Sequence, residues 1–186
     1  MPDPRNHARP SWKPRRLALV GACLLMGCSG IPKRKLHDYT HEVETAACPA
    51  AVWAVIVDFE RYEEWNPSVL EVSGPVEDGG RLRATAVIDM EGNLRKGKHE
   101  IVGLEPGVEM CWRDVGAFVG LTQGMHCRTL VELEGGGTRI EQLIRVGGTA
   151  SGLVDRKYGE VMQWGIEVEA EALDARAEGL AADVCK

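Results

Sequence analysis

The 186-residue sequence lacks an apolar segment long enough to cross a membrane as a helix. A bilayer needs about 20 apolar residues, and the apolar run Leu17–Met26 has only ten. The GxSxG, HExxH, phosphate-loop and CxxC motifs are also missing, which excludes sites of those recognised types. There is no internal repeat and no low-complexity tract, so we expect one globular domain.

An excess of positive charge is also missing. The chain carries 22 Lys and Arg against 28 Asp and Glu, a net charge of −6. Residues 1–27 hold five of the basic residues and one acid, so the remainder carries −10. Nucleic acid is therefore excluded as a partner, because phosphates need a positive surface. The basic triplet Lys33–Lys35 could contact anionic lipid head groups or simply be solvated.

The N-terminal residues have the layout of a secretory signal. Leu17–Met26 follows five basic residues and one acid, and it ends in small residues. The stretch LMGC, ending at Cys28, resembles the bacterial lipobox, which implies cleavage before Cys28 and acylation of its thiol with palmitate-type chains. We therefore predict a signal peptide at 1–27 and a lipidated tether at 28–38. An ordinary signal peptide with an incidental cysteine is the alternative.

The predicted location is the cell envelope, with the membrane contacted through the lipid anchor. Ser29 after the cysteine resembles the outer-membrane sorting signal, which implies the outer membrane, facing the periplasm, in a Gram-negative cell. Residues 39–186 are left to form the folded domain, a length that can bury a core.

Periodicity predicts the order of elements in this domain. Tyr39–Ala47 reads as a strand, and CPAAVWAVIVDF then predicts a helix that begins at proline. A second short helix must end at Asn66-Pro67, because the residue before proline avoids helical angles. Residues 69–146 predict six strands separated by five turns. Residues 151–184 predict one long helix, with Leu153, Val161, Trp164, Val168 and Leu173 among its apolar positions.

The chain contains two characteristic segments, VWAVIVDFERYEEWNPSVLEVSG and GMHCRTLVELEGGGTRIEQLIRVGG, the latter with its Gly137-Thr138-Arg139 turn. These segments resemble the START-like superfamily of polyketide cyclase/dehydrase and pollen-allergen-like proteins. The resemblance implies an α+β helix-grip fold: a curved antiparallel sheet of about seven strands around a long C-terminal helix, with two short helices after the first strand. It also implies a cavity for a small hydrophobic molecule or lipid.

The residues themselves give independent support for a cavity. Ala84 and Ala86 are small on the apolar face of GRLRATAVIDM, where Ile88 and Met90 also lie. Trp112 and Met162 either line a void or fill it. The resemblance places Tyr62 and Trp65 near the cavity entrance, and the alternative is that both belong to the core. The predicted ligand-binding residues are Tyr62, Trp65, Ala84, Ala86, Ile88, His99, Trp112, His126 and Met162.

The sequence says less about the chemistry of the protein than about its fold. His99 and His126 lie on predicted strands and could be acid–base groups of the cavity, or they could face solvent or bond a carbonyl. His37 and His41 predict no metal site, and we predict no catalytic residue and no cofactor. A monomeric carrier is the preferred hypothesis, with a cyclase or dehydratase and a protein–protein adaptor as alternatives. An apolar pocket without a convergent pair of titratable groups would favour the carrier, and a His–carboxylate pair within hydrogen-bond reach inside it would favour the enzyme. A filled cavity with an exposed apolar patch would favour the adaptor.

Four cysteines remain after Cys28, and export would allow them to form disulfides. A hairpin folded about Val119 places Cys111 opposite Cys127, at a separation that a disulfide can bridge. Cys48, before the first helix, and Cys185, at the chain end, then form the remaining pair. Buried free thiols are the alternative.

Overall fold

The computed structural model describes residues 36–116 and 119–185. The predicted signal peptide, most of the tether and Cys28 lie outside the described residues. The strands are β1 His37–Thr45, β2 Val69–Ser73, β3 Arg81–Val87, β4 Leu94–Glu105, β5 Glu109–Asp114, β6 Gln123–Glu132 and β7 Thr138–Gly147. The helices are α1 Pro49–Val57, α2 Tyr62–Trp65 and α3 Ser151–Val184, with a 3-10 turn at Phe59–Arg61 before α2.

The seven strands form one antiparallel sheet in the order β1-β7-β6-β5-β4-β3-β2. The sheet curls around α3, whose residues Val161, Ile166 and Leu173 are buried. A sheet with one apolar face must cover it, and α3 is the long element available for this. The predicted α+β helix-grip fold is confirmed.

Local signals in the sequence explain where the short helices begin and end. Pro49 occupies the start of α1, where its missing N–H and fixed φ angle are favourable. Asn66 follows α2 with extended backbone angles, as a residue before proline requires. Its side-chain Oδ1 accepts hydrogen bonds from the backbone N–H groups of Ser68 and Val69, at 3.0 and 2.8 Å. This turn feeds the chain directly into β2.

Some sequence expectations differ from the structure. His37 and Asp38, assigned to the tether, already belong to β1. Met90, expected on the apolar face of β3, is 55% exposed because β3 ends at Val87 and Met90 lies in the β3–β4 turn. Leu153, counted among the apolar positions of the long helix, is 62% exposed because it lies in the first turn of α3.

Both predicted disulfides are present. Cys111 and Cys127 are directly opposed on β5 and β6, with Cα atoms 4.1 Å apart. Cys48 and Cys185 connect the start of α1 with the end of α3, with Cα atoms 5.8 Å apart. The first pairing follows from the hairpin register, and the second ties the end of the long helix to the body of the domain.

Within the described parts of the chain, no helix has the length and apolar character needed to cross a membrane.

Candidate functional site

A cavity of about 590 Å³ lies between the concave face of the sheet and the N-terminal half of α3. Ala84 and Ala86 of β3 and Gly97 of β4 form part of its wall, and Gly165 lies on the facing helix. These positions carry little or no side chain, which leaves space that larger residues would fill. Ligand sites for small molecules are commonly of this size. The expectation of a cavity beside Ala84 and Ala86 is therefore met.

Seven of the nine predicted ligand-binding residues line this cavity: Ala84, Ala86, Ile88, His99, Trp112, His126 and Met162. Tyr62 and Trp65 do not line it, which corrects the expectation that both lie at the entrance. Tyr62 is fully buried, and its hydroxyl donates a hydrogen bond to the carbonyl of Ile56 at 2.7 Å. Trp65 packs edge-on against the Tyr62 ring, with centroids 5.1 Å apart. Both side chains belong to the core around α1 and α2.

Trp112 is the aromatic centre of the cavity wall. It lies opposite His126 in the β5–β6 register, and their rings meet edge to face with centroids 5.6 Å apart. The His99 ring lies 5.9 Å from Trp112, and the Arg128 guanidinium lies 4.6 Å from the centroid of the Trp112 ring. One indole thus connects two histidines and a cation.

An ion pair that the sequence analysis did not identify lies at the floor of the cavity. Arg128 and Glu169 are fully buried, and the Arg128 Nε–H donates to Glu169 Oε1 at 2.6 Å. The Ser68 hydroxyl donates to Glu169 Oε2 at 3.3 Å. Burial is the largest influence and disfavours the carboxylate, but Arg128, His126 and the Asn66 side chain together hold the pKa of Glu169 below its usual value. Glu169, which lines the cavity, is therefore ionised at neutral pH.

His126 lies beside this ion pair and is neutral at neutral pH. Burial, assisted by the positive charge of Arg128, lowers its pKa to about 4. Its Nε2 is 3.3 Å from Gln142 Oε1 and 4.0 Å from Glu169 Oε1. A neutral imidazole that donates from Nε2 to an amide oxygen keeps Nδ1 as an acceptor. His126 thus adds a polar but uncharged group to the cavity wall.

A second pair of titratable side chains lies nearer the end of the sheet. His99 Nδ1 and Asp114 Oδ1 are 3.1 Å apart, and both residues line the cavity. The other carboxylate oxygen, Oδ2, accepts the backbone N–H of Gly124 at 3.0 Å, which fixes the orientation of Asp114. A carboxylate beside a histidine ring is a recurrent acid–base arrangement, but this contact is not aligned as a hydrogen bond, and His99 Nδ1 has no hydrogen-bond partner among the described residues.

Within residues 36–116 and 119–185, no group of three or more His, Cys, Asp or Glu side chains could hold a metal ion. His37 Nδ1 lies 3.1 Å from an Asp155 carboxylate oxygen, on β1 and away from the cavity lining.

Arg128 and Glu169 were missed although the sequence contains a signal for each. Strand alternation puts Arg128 on the same face as His126 and Leu130, and all three are buried. Helical spacing puts Glu169 four residues before the buried Leu173. A charged residue at a core position of one element needs a partner of opposite charge on another. A charged residue in the buried face of β6 and one of opposite charge in the buried face of α3 together indicate the ion pair.

The fold and the cavity are of the helix-grip type, a fold that is built around a ligand-binding cavity. Residues 37–178 match the family described as polyketide cyclase / dehydrase and lipid transport, and the chain belongs to this family. No curated protein matches the chain.

Solved structures show the same architecture at low sequence identity. The aromatase/cyclase Zhui from a Streptomyces species is 17% identical, with a TM-score of 0.64 over 81% of this chain and 99% of that one. A Staphylococcus aureus protein of unknown function is 14% identical, with a TM-score of 0.61 and coverage of 81% and 99%. A Thalictrum norcoclaurine synthase variant is 11% identical, with a TM-score of 0.61 and coverage of 78% and 96%. At these identities the similarity establishes fold alone.

Proposed function

We propose that the chain binds a small hydrophobic molecule that carries a hydroxyl or another hydrogen-bond donor. The observation that carries this proposal is the composition of the buried part of the cavity, which is apolar except for Ser68, His126 and one ionised carboxylate, Glu169. The other charged lining residues, Arg95, Lys96, Lys98 and Asp114, are exposed. Apolar walls supply affinity, and a few convergent polar groups fix orientation. A carboxylate accepts hydrogen bonds and donates none. A ligand that places a donor at Glu169 therefore fits better than one that places an anion there.

The apolar part of the ligand is expected to lie against Trp112, Ile166 and Ala84, which line the cavity. The Trp112 ring presents a wide flat surface at this position, and its emission responds to a change in its surroundings. The ligand-binding role of the seven lining residues remains a prediction that a binding measurement can test.

Filling the cavity is expected to weaken binding while the fold remains. Ala86→Phe places a phenyl ring in the wall, and we expect the affinity for the apolar amine N-phenyl-1-naphthylamine to fall at least about tenfold. Quenching of tryptophan fluorescence and enhancement of dye emission measure the affinity. Arg83→Phe is the matched control, because Arg83 lies on the same strand with its side chain exposed. Equal affinity of the two variants would contradict the placement of the ligand.

Acid–base catalysis on the bound molecule is a second candidate function, favoured by the His99–Asp114 pair in the cavity wall. A cyclase or dehydratase would use such a pair to move a proton while water leaves. His99→Asn keeps a polar side chain of similar size at this position but removes the imidazole that could transfer a proton. If the chain is an enzyme, the variant purified from its own cell carries a molecule heavier by one water than the product of the wild type. Identical bound molecules would support the carrier.

We also propose that the chain is an envelope lipoprotein anchored through Cys28, which the lipobox-like stretch LMGC supports. Two or three acyl chains give a stable anchor, whereas one gives only reversible binding. Cys28→Ala is therefore expected to move the chain out of the membrane fraction or leave it uncleaved, and Cys23→Ala serves as the control. Unchanged fractionation, together with a mature N-terminus that lacks acyl mass, would contradict the anchor.

A further inference from the structure

The most exposed apolar side chains are gathered at one end of the sheet. Among the described residues, five large apolar side chains are more than half exposed: Leu36, Met90, Leu94, Leu121 and Leu153. We refer to these five residues as the mouth surface. Exposed apolar groups that are scattered singly need no explanation, but a cluster indicates an interaction site.

The strand register shows that these five residues share an end of the molecule. His37, next to Leu36, pairs with Val146 at the end of β7, and Gly147 pairs with Gln123 at the start of β6. Val87 pairs with Leu94 across the β3–β4 hairpin that contains Met90.

Backbone contacts add the start of α3 to the same end. The Ala150 N–H donates to the carbonyl of Leu121 at 3.0 Å, and the Leu153 N–H donates to the carbonyl of Ala150 at 3.0 Å. The cavity reaches this end as well, because Ile88, Val119 and Val154 line it. The mouth surface therefore borders the cavity.

The end that carries the mouth surface also differs from the rest of the described chain in charge. The segments at this end (36–38, 87–98, 114–116, 119–125 and 145–158) hold six Lys and Arg and five Asp and Glu, whereas the rest of the described chain holds seven and 22. The three lysines of the described residues, Lys96, Lys98 and Lys157, all lie here. An anionic surface therefore repels most of the molecule and accepts this end.

Most acids of this end are already engaged. Asp38 binds Arg145 at 2.7 Å, and the hydroxyl of Tyr39 donates to Asp155 at 2.7 Å. Asp89 accepts hydrogen bonds from Asn93, and Asp114 lies against His99. Arg145 offsets the charge of Asp38, whereas the hydrogen bonds from Tyr39 and Asn93 stabilise their carboxylates without neutralising them. With six Lys and Arg against five Asp and Glu, this end keeps an excess of one positive charge.

We infer that the mouth surface docks on an anionic lipid bilayer, with its apolar side chains at the head-group boundary and the three lysines against lipid phosphates. The position of the chain outside the structure supports this occupant. Seven residues lie between Cys28 and Leu36, which gives this stretch a reach of about 28 Å at most, and the basic Lys33–Lys35 lies within it. This inference goes beyond ligand binding, and the surface consists of described residues that do not need acylation to act.

Docking in this orientation makes the cavity open towards the lipid. A hydrophobic ligand could then pass between the bilayer and the cavity without crossing water, which costs free energy for every exposed apolar group.

Hydrogen exchange of the full chain carrying Cys28→Ala tests the inference without the anchor. The chain is measured in solution, with vesicles of pure phosphatidylcholine, and with vesicles of equal parts phosphatidylcholine and phosphatidylglycerol. We expect slower exchange on the anionic vesicles in residues 88–93, 119–122 and 148–153, and less protection at high salt. The turns at the opposite end, 74–80, 106–108 and 133–137, should exchange unchanged and serve as the internal control.

Matched variants separate the mouth surface from the uncleaved apolar N-terminus, which all of them share. Leu121→Ser combined with Leu153→Ser is expected to weaken vesicle binding at least about tenfold. Val76→Ser combined with Val108→Ser changes two exposed valines in the turns at the other end and should leave binding unchanged.

Several outcomes would overturn the inference. One is slower hydrogen exchange that is uniform along the chain or confined to the turns at the opposite end. Another is an equal loss of vesicle binding in the two double variants. Protection of the mouth segments in native membranes but not on pure lipid would assign the surface to a protein partner. Concentration-dependent protection without vesicles would assign it to a second copy of the chain. Binding of N-phenyl-1-naphthylamine by the same variants shows separately whether the cavity functions.

Discussion

Replacing Arg128 with methionine is expected to lower the free energy of unfolding by about 3–5 kcal/mol, the usual cost of removing one partner from a buried ion pair. The change leaves the Glu169 carboxylate in a fully buried position without its cation. Methionine keeps much of the volume of the arginine stem, so the loss reports charge rather than a void. Urea unfolding followed by far-UV circular dichroism measures the difference.

Removing both charges is expected to cost less than removing one. Arg128→Met combined with Glu169→Leu eliminates the unpaired carboxylate, and apolar replacements of a buried pair are often neutral or stabilising. The double variant should therefore be more stable than Arg128→Met alone, although Ser68 loses the carboxylate that its hydroxyl contacts. If the ion pair also positions the ligand, this double variant should fold and yet bind N-phenyl-1-naphthylamine more weakly.

An exposed ion pair provides the control for burial. Arg145 binds Asp38 through two hydrogen bonds, at 2.8 and 2.7 Å, but both side chains are well exposed. Arg145→Met should cost less than about 1 kcal/mol, because exposed ion pairs contribute little. Equal losses in Arg145→Met and Arg128→Met would contradict the explanation based on desolvation.

The sequence predicts most of the fold because its periodicity and its breaks are local. Pro49, Asn66-Pro67 and the glycine-containing turns mark where elements begin and end, and these signals act within a few residues. The family resemblance supplies the arrangement of the elements in space. Positions near turns are less certain, since Met90 continues the alternation of β3 after the strand has ended.

The site is harder to predict because it depends on pairs of residues that are distant in sequence. Glu169 and Arg128 are 41 residues apart and meet only when α3 lies on β6. Asp114 approaches His99 only through the β4–β5 register. Tyr62 and Trp65 are aromatic whether they face a ligand or the core, so their residue type does not distinguish the two. Small residues such as Ala84 predicted the cavity, because a small side chain leaves space whichever residues the strand pairing places beside it.

The two disulfides were predicted by different arguments, and they are expected to differ in their effect on stability. The Cys48–Cys185 bridge spans a sequence separation of 137 residues, and the Cys111–Cys127 bridge spans 16. Chain-entropy estimates give about 5 kcal/mol for the long loop and about 3 kcal/mol for the short one. Replacing Cys48 and Cys185 by alanine should therefore lower the free energy of unfolding by about 2 kcal/mol more than replacing Cys111 and Cys127.

The structure around each bridge is also expected to make loss of the Cys48–Cys185 bridge the more destabilising of the two. The β5–β6 ladder holds Cys111 opposite Cys127 even when the bridge is absent, whereas α3 ends at Val184, one residue before Cys185. Without the bridge, the last turn of α3 can separate from α1 and fray, as helix ends commonly do. Urea unfolding of the two double-alanine variants gives the comparison, since each variant replaces one pair of bridged cysteines by alanine. A larger loss from the Cys111 and Cys127 variant would show that the strand pairing of β5 and β6, rather than the closure of the long loop, depends more on its bridge.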